Sequence, residues 1–193
     1  ISSNPNETTD EELENLHQAG VRGIRCNIVD VADPSAGLPI DNLRALANKI
    51  KPFGWHLELL MHVNEHPNLA KVFEDFPVDL VFGHFGYSHA KHGINDKGFQ
   101  GLLELLKNER AWVKMTGPYR ICDGNLPYSD MRPMNDAVIK TNPKRLIWGS
   151  DWPHTGFETQ QNYEDQFKNL QKLVNDKSLL DQILVNNPKN LYW

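Results

Sequence analysis

The sequence predicts an α/β fold made of repeated strand–helix units, and three observations support this prediction. Short apolar or alternating runs, which are typical of strands, are separated by segments with apolar residues at helical spacing. The strand-like runs recur at intervals of about thirty residues, the length of one βα unit. Polar residues line one face of these runs or follow them directly. Because parallel neighbours need a crossover long enough to contain a helix, this pattern indicates a parallel sheet.

The N-terminal part of the chain begins with a predicted helix. Thr9 and Glu12 form a capping-box pattern, in which each side chain satisfies a free backbone amide, and Gly20 ends the helix. An alternating run at residues 21–28 has no helix cap and is interpreted as a strand. The same order then repeats, with a helix at 40–50 and a strand at 55–61.

The rest of the chain continues this alternation. Strands are predicted at residues 78–84, 111–116 and 145–151, which makes five strands in all. The helices between them are predicted at 67–76, around Phe99 to Leu106, and at 135–140. Two amphipathic helices, at 162–174 and 178–185, follow the last strand.

The polarity of the strands distinguishes a closed barrel from an open doubly wound sheet. In the run at 55–61, His56 and Glu58 share one face, while Leu57 and Leu59 share the other. Strands of an open parallel sheet are apolar on both faces because both are buried. The interior and mouth of a catalytic barrel accommodate charged side chains. We therefore predict a (βα)8 barrel.

The length of the chain indicates an incomplete set of barrel units. A barrel of eight units typically needs about 250 residues, whereas this chain has 193 residues and five predicted units. We interpret residues 1–193 as a single domain that forms the C-terminal part of such a barrel, with its last five βα units visible.

The residues at the strand ends predict where a ligand binds. In parallel α/β folds, ligands bind at the C-terminal ends of the strands. The predicted strands carry or run into polar residues at these ends, namely Arg25, Asn27, His84, Arg120 and Asp151. Any one of them alone is more typical of a surface ion pair, a satisfied core residue or a helix cap. Their joint placement at one mouth predicts a functional site.

Several motifs resemble those of a known family. The stretches RLIWGSDWPH (145–154) and NPKNLY (187–192) resemble the last-strand motif and C-terminal helix of the amidohydrolase-related TIM-barrel hydrolases. Segments 20–27, 54–56, 83–86 and 112–120 occur in the order expected of the lactonase-like branch of that family. The resemblance spans nearly the whole chain and implies a barrel of the metal-dependent hydrolase type, with the fourth to eighth strands present. The family's His-X-His pair of the first strand does not occur in this sequence.

The resemblance implies a hydrolase that opens a lactone or similar cyclic ester of a small dicarboxylic acid. Asp151 would activate water, with its pKa raised by burial, and His84 would polarise the carbonyl group. The guanidinium groups of Arg25 and Arg120 are suited to binding the carboxylates of a small anionic substrate. Further candidates for the same pocket, for each of which packing or capping is an equal alternative, are Asn27, Tyr119 and His154.

The cofactor and the activity have open alternatives. The lactonase-like branch works without a metal, but many amidohydrolases hold zinc, for which His84 and Asp151 would be the ligands here. Catalytic zinc normally has three protein ligands plus water, so these two are too few, and His89 and His92 lie in a loop. The alternatives are a zinc-dependent decarboxylase of the same superfamily, or a non-catalytic truncated barrel whose open edge pairs with a second copy, a possible homo-oligomer.

Composition limits the classes of partner. The net charge is −5 and the 20 Lys and Arg residues are scattered, which argues against a nucleic-acid partner. No apolar stretch approaches the roughly 20 residues needed to cross a bilayer, so no membrane partner is expected. Cys26 and Cys122 are interpreted as reduced thiols, which is typical of a cytoplasmic protein.

Overall fold

The computed structural model describes residues 8–29 and 37–193 of the chain. The strands are β1 (Gly23–Asn27), β2 (His56–Leu60), β3 (Leu80–Phe82), β4 (Ala111–Met115) and β5 (Leu146–Trp148). The helices are α1 (Asp10–Gln18), α2 (Ile40–Ile50), α3 (Leu69–Phe73), α4 (Lys97–Lys107), α5 (Arg132–Thr141), α6 (Tyr163–Leu173), α7 (Lys177–Asp181) and α8 (Asn187–Tyr192). A π-helical turn, Gln182–Asn186, connects α7 to α8.

The five strands form one parallel sheet in the order β1-β2-β3-β4-β5. Each strand pairs with its neighbour in sequence, as consecutive strands of a barrel do. The α/β prediction is therefore confirmed. The apolar residues of one sheet face join the helices in the main core, with Leu57, Phe82 and Val113 fully buried. This burial is the main contribution to holding the helices on the sheet.

The other face of the sheet is polar at the end where the strands stop. Arg25 of β1 lies opposite Glu58 of β2, and Glu58 lies opposite Val81 of β3. Lower on this inner face, Val81 belongs to a small apolar cluster with Trp112 and Ile147. Leu191 and Tyr192 of α8 pack against this cluster. The polar inner face predicted for a barrel is thus present.

Helix α8 is fixed to the sheet by one buried amide. The side chain of Asn187 donates hydrogen bonds to the carbonyl oxygens of Pro143 and Leu146, at 2.8 Å and 2.6 Å. Asn187 is fully buried, so these bonds satisfy a group that would otherwise be costly to bury. They place α8 at the start of β5 and bring Tyr192 over the inner face.

An ion pair closes the end of the sheet opposite the predicted site. The carboxylate of Asp79 accepts hydrogen bonds from Arg145 at 2.6 Å and from the Trp112 indole at 2.9 Å. The Arg145 guanidinium also lies 4.7 Å from the centre of the Trp112 ring. These contacts join the beginnings of β3, β4 and β5, where conservation in barrels serves stability rather than catalysis.

Two predicted strands end earlier than expected. The run at 145–151 was expected to be extended as far as Asp151, but β5 ends at Trp148 and Asp151 has a φ of 64°. Likewise β3 ends at Phe82, and His84 has a φ of 48°. Left-handed backbone cannot continue a strand, so both residues lie in loops just beyond the sheet. The capping box of Thr9 and Glu12 is confirmed. Among the described residues, every helix is too short or too polar to span a bilayer.

His56 is a buried histidine on the inner face, below the site. It is 5% exposed, its ring packs edge-on against Tyr192 at 5.4 Å, and its Nδ1 has no hydrogen-bond partner among the described residues. Burial lowers the pKa of His56 from 6.5 to about 4, although the nearby carboxylate of Glu58 opposes this shift. His56 is therefore neutral in the folded protein at neutral pH.

We expect His56 to make the fold sensitive to acid. The unfolded chain binds a proton at His56 below pH 6.5, but the folded chain does so only below about 4. Stability is therefore lost as pH falls through this window, by roughly 3 kcal/mol in total, because one pKa unit corresponds to about 1.4 kcal/mol. Urea denaturation at several pH values should show this loss in the parent protein and a smaller one in His56→Gln.

The exposed His92 provides the control for this prediction. His92→Gln changes an exposed residue that does not contact His56, and should leave the loss attributed to His56 in place. An NMR titration that gives His56 a pKa near 6.5 would contradict the prediction.

Candidate functional site

Asp151 lies three residues beyond the end of β5 and is held by two donors from the loop after β4. Its Oδ2 accepts a hydrogen bond from the Tyr119 hydroxyl at 2.5 Å and one from Nε of Arg120 at 2.6 Å. The side chain is 17% exposed. Ile147, Trp148, Gly149 and Asp151 all line the same cavity. Oδ2 is thus held by two hydrogen bonds, while Oδ1 is available to other groups.

The pKa of Asp151 is lowered, and the expectation that burial would raise it is wrong. Burial does act in the upward direction, but the hydrogen bonds from Tyr119 and Arg120 and the proximity of His84 outweigh it. Asp151 is therefore ionised at neutral pH. An ionised carboxylate can accept a proton, as a general base must.

His84 follows β3 and faces the free oxygen of Asp151. Its Nε2 lies 3.7 Å from Oδ1 of Asp151, and its Nδ1 lies 2.8 Å from the Thr116 hydroxyl. Burial lowers the pKa of His84, although Asp151 and Thr116 oppose the shift and two nearby arginines reinforce it. The ring is therefore neutral near neutral pH, with one nitrogen able to donate and the other able to accept.

Arg120 is directed at Asp151 rather than into the open cavity. Besides its bond to Asp151, it donates from Nη2 to the carbonyl oxygen of Thr155 at 3.1 Å. The guanidinium lies 5.2 Å from the centre of the Tyr119 ring and 5.3 Å from that of Phe157. In this conformation Arg120 orients the carboxylate of Asp151. The sequence had predicted that Arg120 binds a carboxylate of the substrate.

Tyr119 and His154 form a buried support beneath Asp151. The Tyr119 hydroxyl lies 3.1 Å from Nδ1 of His154, and His154 is 4% exposed. Nε2 of His154 is buried without a hydrogen-bond partner among the described residues. Burial, together with the adjacent Asp151, raises the pKa of Tyr119, which therefore stays protonated and donates its hydrogen bond.

A cavity of about 240 Å³ opens beside Asp151 and His84. Among the residues that line it are Arg25, Glu58, Lys114, Thr116 and Tyr192. The structure thus brings six predicted residues to one place. Arg25, His84 and Asp151 line the cavity, Arg120 and Tyr119 contact Asp151 directly, and His154 contacts Tyr119. Asn27 is outside the lining set, and its side-chain oxygen accepts a hydrogen bond from the backbone of Val29 at 3.1 Å.

Volume alone does not identify the site. A larger groove of about 800 Å³ lies between α3 and α4, lined by surface residues such as Lys71, Glu74 and Glu104. It contains none of the residues predicted for the site. The smaller cavity is partly enclosed, is lined by groups of both charges and lies at the ends of the strands, as expected of an active site.

Left-handed backbone is concentrated in the loops that build the site. His84, Asp151 and His154 have φ values of 48°, 64° and 60°. Such conformations are uncommon for residues with a Cβ atom and persist where surrounding contacts enforce them, often at functional sites. No residue pattern in the sequence signals them, because Asp and His adopt other conformations equally well.

Gly117 is a site residue that the sequence did not identify. It has a φ of 56°, and a Cβ atom added there would lie 2.7 Å from Nδ1 of His84 and 3.0 Å from Oδ2 of Asp151. Only a residue without a side chain allows these two groups to approach each other here. Its position after the fourth strand was the one available signal.

The described residues do not form a complete metal site. Within residues 8–29 and 37–193, no group of three His, Cys, Asp or Glu side chains is placed to hold a metal ion. Catalytic zinc normally takes three protein ligands, and of the two candidates, Asp151 already has Oδ2 engaged by Arg120. His89 is turned away towards Asp123, at 3.4 Å. The residues described here therefore do not fit zinc by themselves.

Gly117→Ala should disturb the site beyond its effect on stability. A left-handed alanine costs about 1 kcal/mol, and the added methyl group must also displace His84 or Asp151. Chemical denaturation measures the first effect, and the NMR signals of the His84 ring measure the second. The matched control is Gly54→Ala, because Gly54 has a similar φ of 67° and open space around its Cβ position.

Both variants should lose the stability that left-handed backbone costs an alanine, and Gly117→Ala should lose more because its methyl group displaces its neighbours. Only Gly117→Ala should shift the His84 signals. Unchanged His84 signals in Gly117→Ala would show that the close approach at Gly117 is unimportant.

Two curated relatives of the chain are named hydrolases. The 2-pyrone-4,6-dicarboxylate hydrolase of Comamonas testosteroni is 29% identical over 196 residues, which are 96% of this chain and 63% of that protein. The 4-sulfomuconolactone hydrolase of Rhizobium radiobacter is 31% identical over 192 residues, which are 94% of this chain and 61% of that protein. The chain thus spans less than two thirds of the length of these relatives.

Solved structures share the fold. A probable 2-pyrone-4,6-dicarboxylic acid hydrolase from Acinetobacter baumannii, solved with citric acid bound, matches with a TM-score of 0.81 and 30% identity, over 100% of this chain and 70% of that one. More distant structures at 19% and 14% identity contain zinc and manganese, and likeness at this level shows the fold alone.

The family model described as amidohydrolase matches residues 2–192, almost the whole chain. The motifs quoted from the sequence, the parallel sheet and the relatives all agree with this match. The five strands correspond to part of a (βα)8 barrel, and the chain belongs to the amidohydrolase family.

Proposed function

We propose that the protein containing this chain is a hydrolase that opens a lactone or similar cyclic ester of a small dicarboxylic acid. The observation that carries the proposal is the arrangement at Asp151, an ionised carboxylate with one oxygen fixed by Arg120 and the other facing His84 beside a cavity. Two curated relatives, named hydrolases of a pyrone dicarboxylate and of a sulfomuconolactone, support the same class of reaction.

Asp151 acts as the base in this proposal. Oδ1 accepts a proton from water, and the oxygen of that water forms a new bond to the lactone carbonyl carbon. The ring C–O bond then breaks, and the proton held by Asp151 passes to the departing ring oxygen. The products are a carboxyl group and a hydroxyl group, so water is consumed without oxidation or reduction. Tyr119 and Arg120 keep the carboxylate oriented throughout.

His84 assists by polarising the carbonyl group. Because its ring is neutral, one nitrogen carries a proton, and Nε2 is the nitrogen that faces Asp151. In the proposed reaction the Thr116 hydroxyl donates to Nδ1, so the ring proton is on Nε2 and can be donated to a substrate carbonyl group bound in the cavity beside His84. A donor placed there stabilises the negative charge that develops on the carbonyl oxygen.

Cations in and around the cavity suit an anionic substrate. Arg25 has a side chain that is 54% exposed, so its planar group is accessible to a carboxylate. The Acinetobacter baumannii structure was solved with citric acid, a small polycarboxylic acid. We assign Arg25 to direct substrate contact, and Asn27, at the end of the same strand, remains a candidate for that role. Arg120, Tyr119 and His154 act through Asp151.

Asp151→Asn in the full-length protein should abolish lactone hydrolysis while the fold persists. An amide of the same size cannot accept the proton from water, and loss of a general base typically costs about 10²- to 10⁴-fold in rate. Hydrolysis is followed by the loss of ultraviolet absorbance of 2-pyrone-4,6-dicarboxylate, and folding is followed by circular dichroism.

Asp123→Asn is the control, because Asp123 is an exposed aspartate paired with His89 outside the cavity. It should hydrolyse the lactone as the parent protein does. If Asp151→Asn retained the parental rate, the role of Asp151 as the base would be refuted.

A further inference from the structure

Beside Arg25, two charged groups at the floor of the cavity, Glu58 and Lys114, have no part in the proposed reaction. Nζ of Lys114 lies 2.6 Å from Oε2 of Glu58, and Nε of Arg25 lies 3.9 Å from Oε1 of the same carboxylate. The side chains of Glu58 and Lys114 are 13% and 25% exposed, so both are largely removed from bulk water. All three residues line the same cavity as Asp151 and His84.

Lys114 has donors that Glu58 does not use. An ammonium group carries three N–H donors, and within the described parts of the chain Nζ of Lys114 makes one hydrogen bond, to Glu58. Arg25 meets Glu58 at a distance too long for a hydrogen bond. Several strong donors are therefore directed into a partly enclosed cavity. Donors in such a place require either water or an anionic acceptor.

The local charge balance favours an anion. Two cations, Arg25 and Lys114, surround the single carboxylate of Glu58, which leaves an excess positive charge at the floor. At the other end of the cavity, the charge of Asp151 is balanced by Arg120. The cavity therefore attracts negative charge at the floor without strong repulsion from Asp151.

We propose that Lys114 joins Arg25 in a carboxylate-binding subsite at the floor of the cavity, with Glu58 as the residue that positions Lys114. The subsite binds the carboxylate of the substrate that is remote from the reacting carbonyl group. The assignment of that carboxylate to a lactone substrate rests on the proposed function. The binding of a carboxylate at the floor does not require that any reaction occurs.

An ordinary structural ion pair predicts a different result at Glu58. If Lys114 and Glu58 only stabilise the fold, removing either charge has the same consequence, because each leaves the other unpaired. If Lys114 binds an anion, the two changes have opposite effects. Loss of Lys114 removes an attractive charge, whereas loss of the Glu58 charge removes a repulsive one.

The test measures citrate binding to the protein by isothermal titration calorimetry, at low and moderate ionic strength. Lys114→Met should weaken citrate binding by about tenfold or more, the effect of losing a hydrogen bond between charged groups. Glu58→Gln should tighten binding by about threefold, because a nearby negative charge is lost. Lys107→Met alters an exposed lysine at the end of α4, outside this cavity, and should leave binding unchanged.

Lys114→Arg and the result for Glu58→Gln keep the test decisive. Lys114→Arg retains the charge and should restore most of the affinity lost in Lys114→Met. If Lys114→Met does not fold, the direction of change in Glu58→Gln alone decides, and weaker binding in that variant overturns the proposal. Parental affinity in a folded Lys114→Met would also overturn it.

Failure of the proposed function gives a different result. Asp151→Asn should still bind citrate, since the floor of the cavity is intact, although it does not hydrolyse lactone. If the parent protein binds citrate through Lys114 but hydrolyses no lactone, the subsite stands and the assignment of the reaction is wrong.

Discussion

The ion pair between Arg120 and Asp151 is the interaction on which the candidate site depends. It fixes one carboxylate oxygen and leaves the second oxygen facing His84. Together with the hydrogen bond from Tyr119, it keeps the carboxylate ionised despite burial. Neither charge could remain in this half-buried position alone, because removing one member of a buried pair leaves the other without compensation. Tyr119, Thr155 and Phe157 hold Arg120 and Asp151 in place and have no role without them.

The contacts that stabilise the sheet and the residues of the candidate site lie at opposite ends of the strands. At the start of the strands, Asp79, Arg145 and Trp112 form a closed set of contacts in which each donor is directed at one carboxylate. At the other end, the loops carry charged and left-handed residues around a cavity. The left-handed loops are therefore held by a sheet whose opposite end is fixed by hydrogen bonds and whose outer face packs into the core.

The sequence predicted the elements well and the site in part. Helical spacing, the capping box at Thr9 and the alternation of strands with helices were enough for the α/β architecture, because these signals are local. The strand ends also predicted that Arg25, His84 and Asp151 lie together, and all three line one cavity. The direction of Arg120, the lowered pKa of Asp151 and the close approach at Gly117 were not predictable. Each depends on distances between loops that are far apart in the sequence.

The contacts between the loops after β3, β4 and β5 have a consequence for how this site can change. His84, Gly117 and Asp151 come from three different loops and touch at one point, and Tyr119 links Asp151 to His154. Residues in such direct contact show interaction energies rather than additive effects. A substitution in one loop therefore changes which residues the other two tolerate. Divergence to a new substrate is expected to proceed through coordinated changes in these three loops.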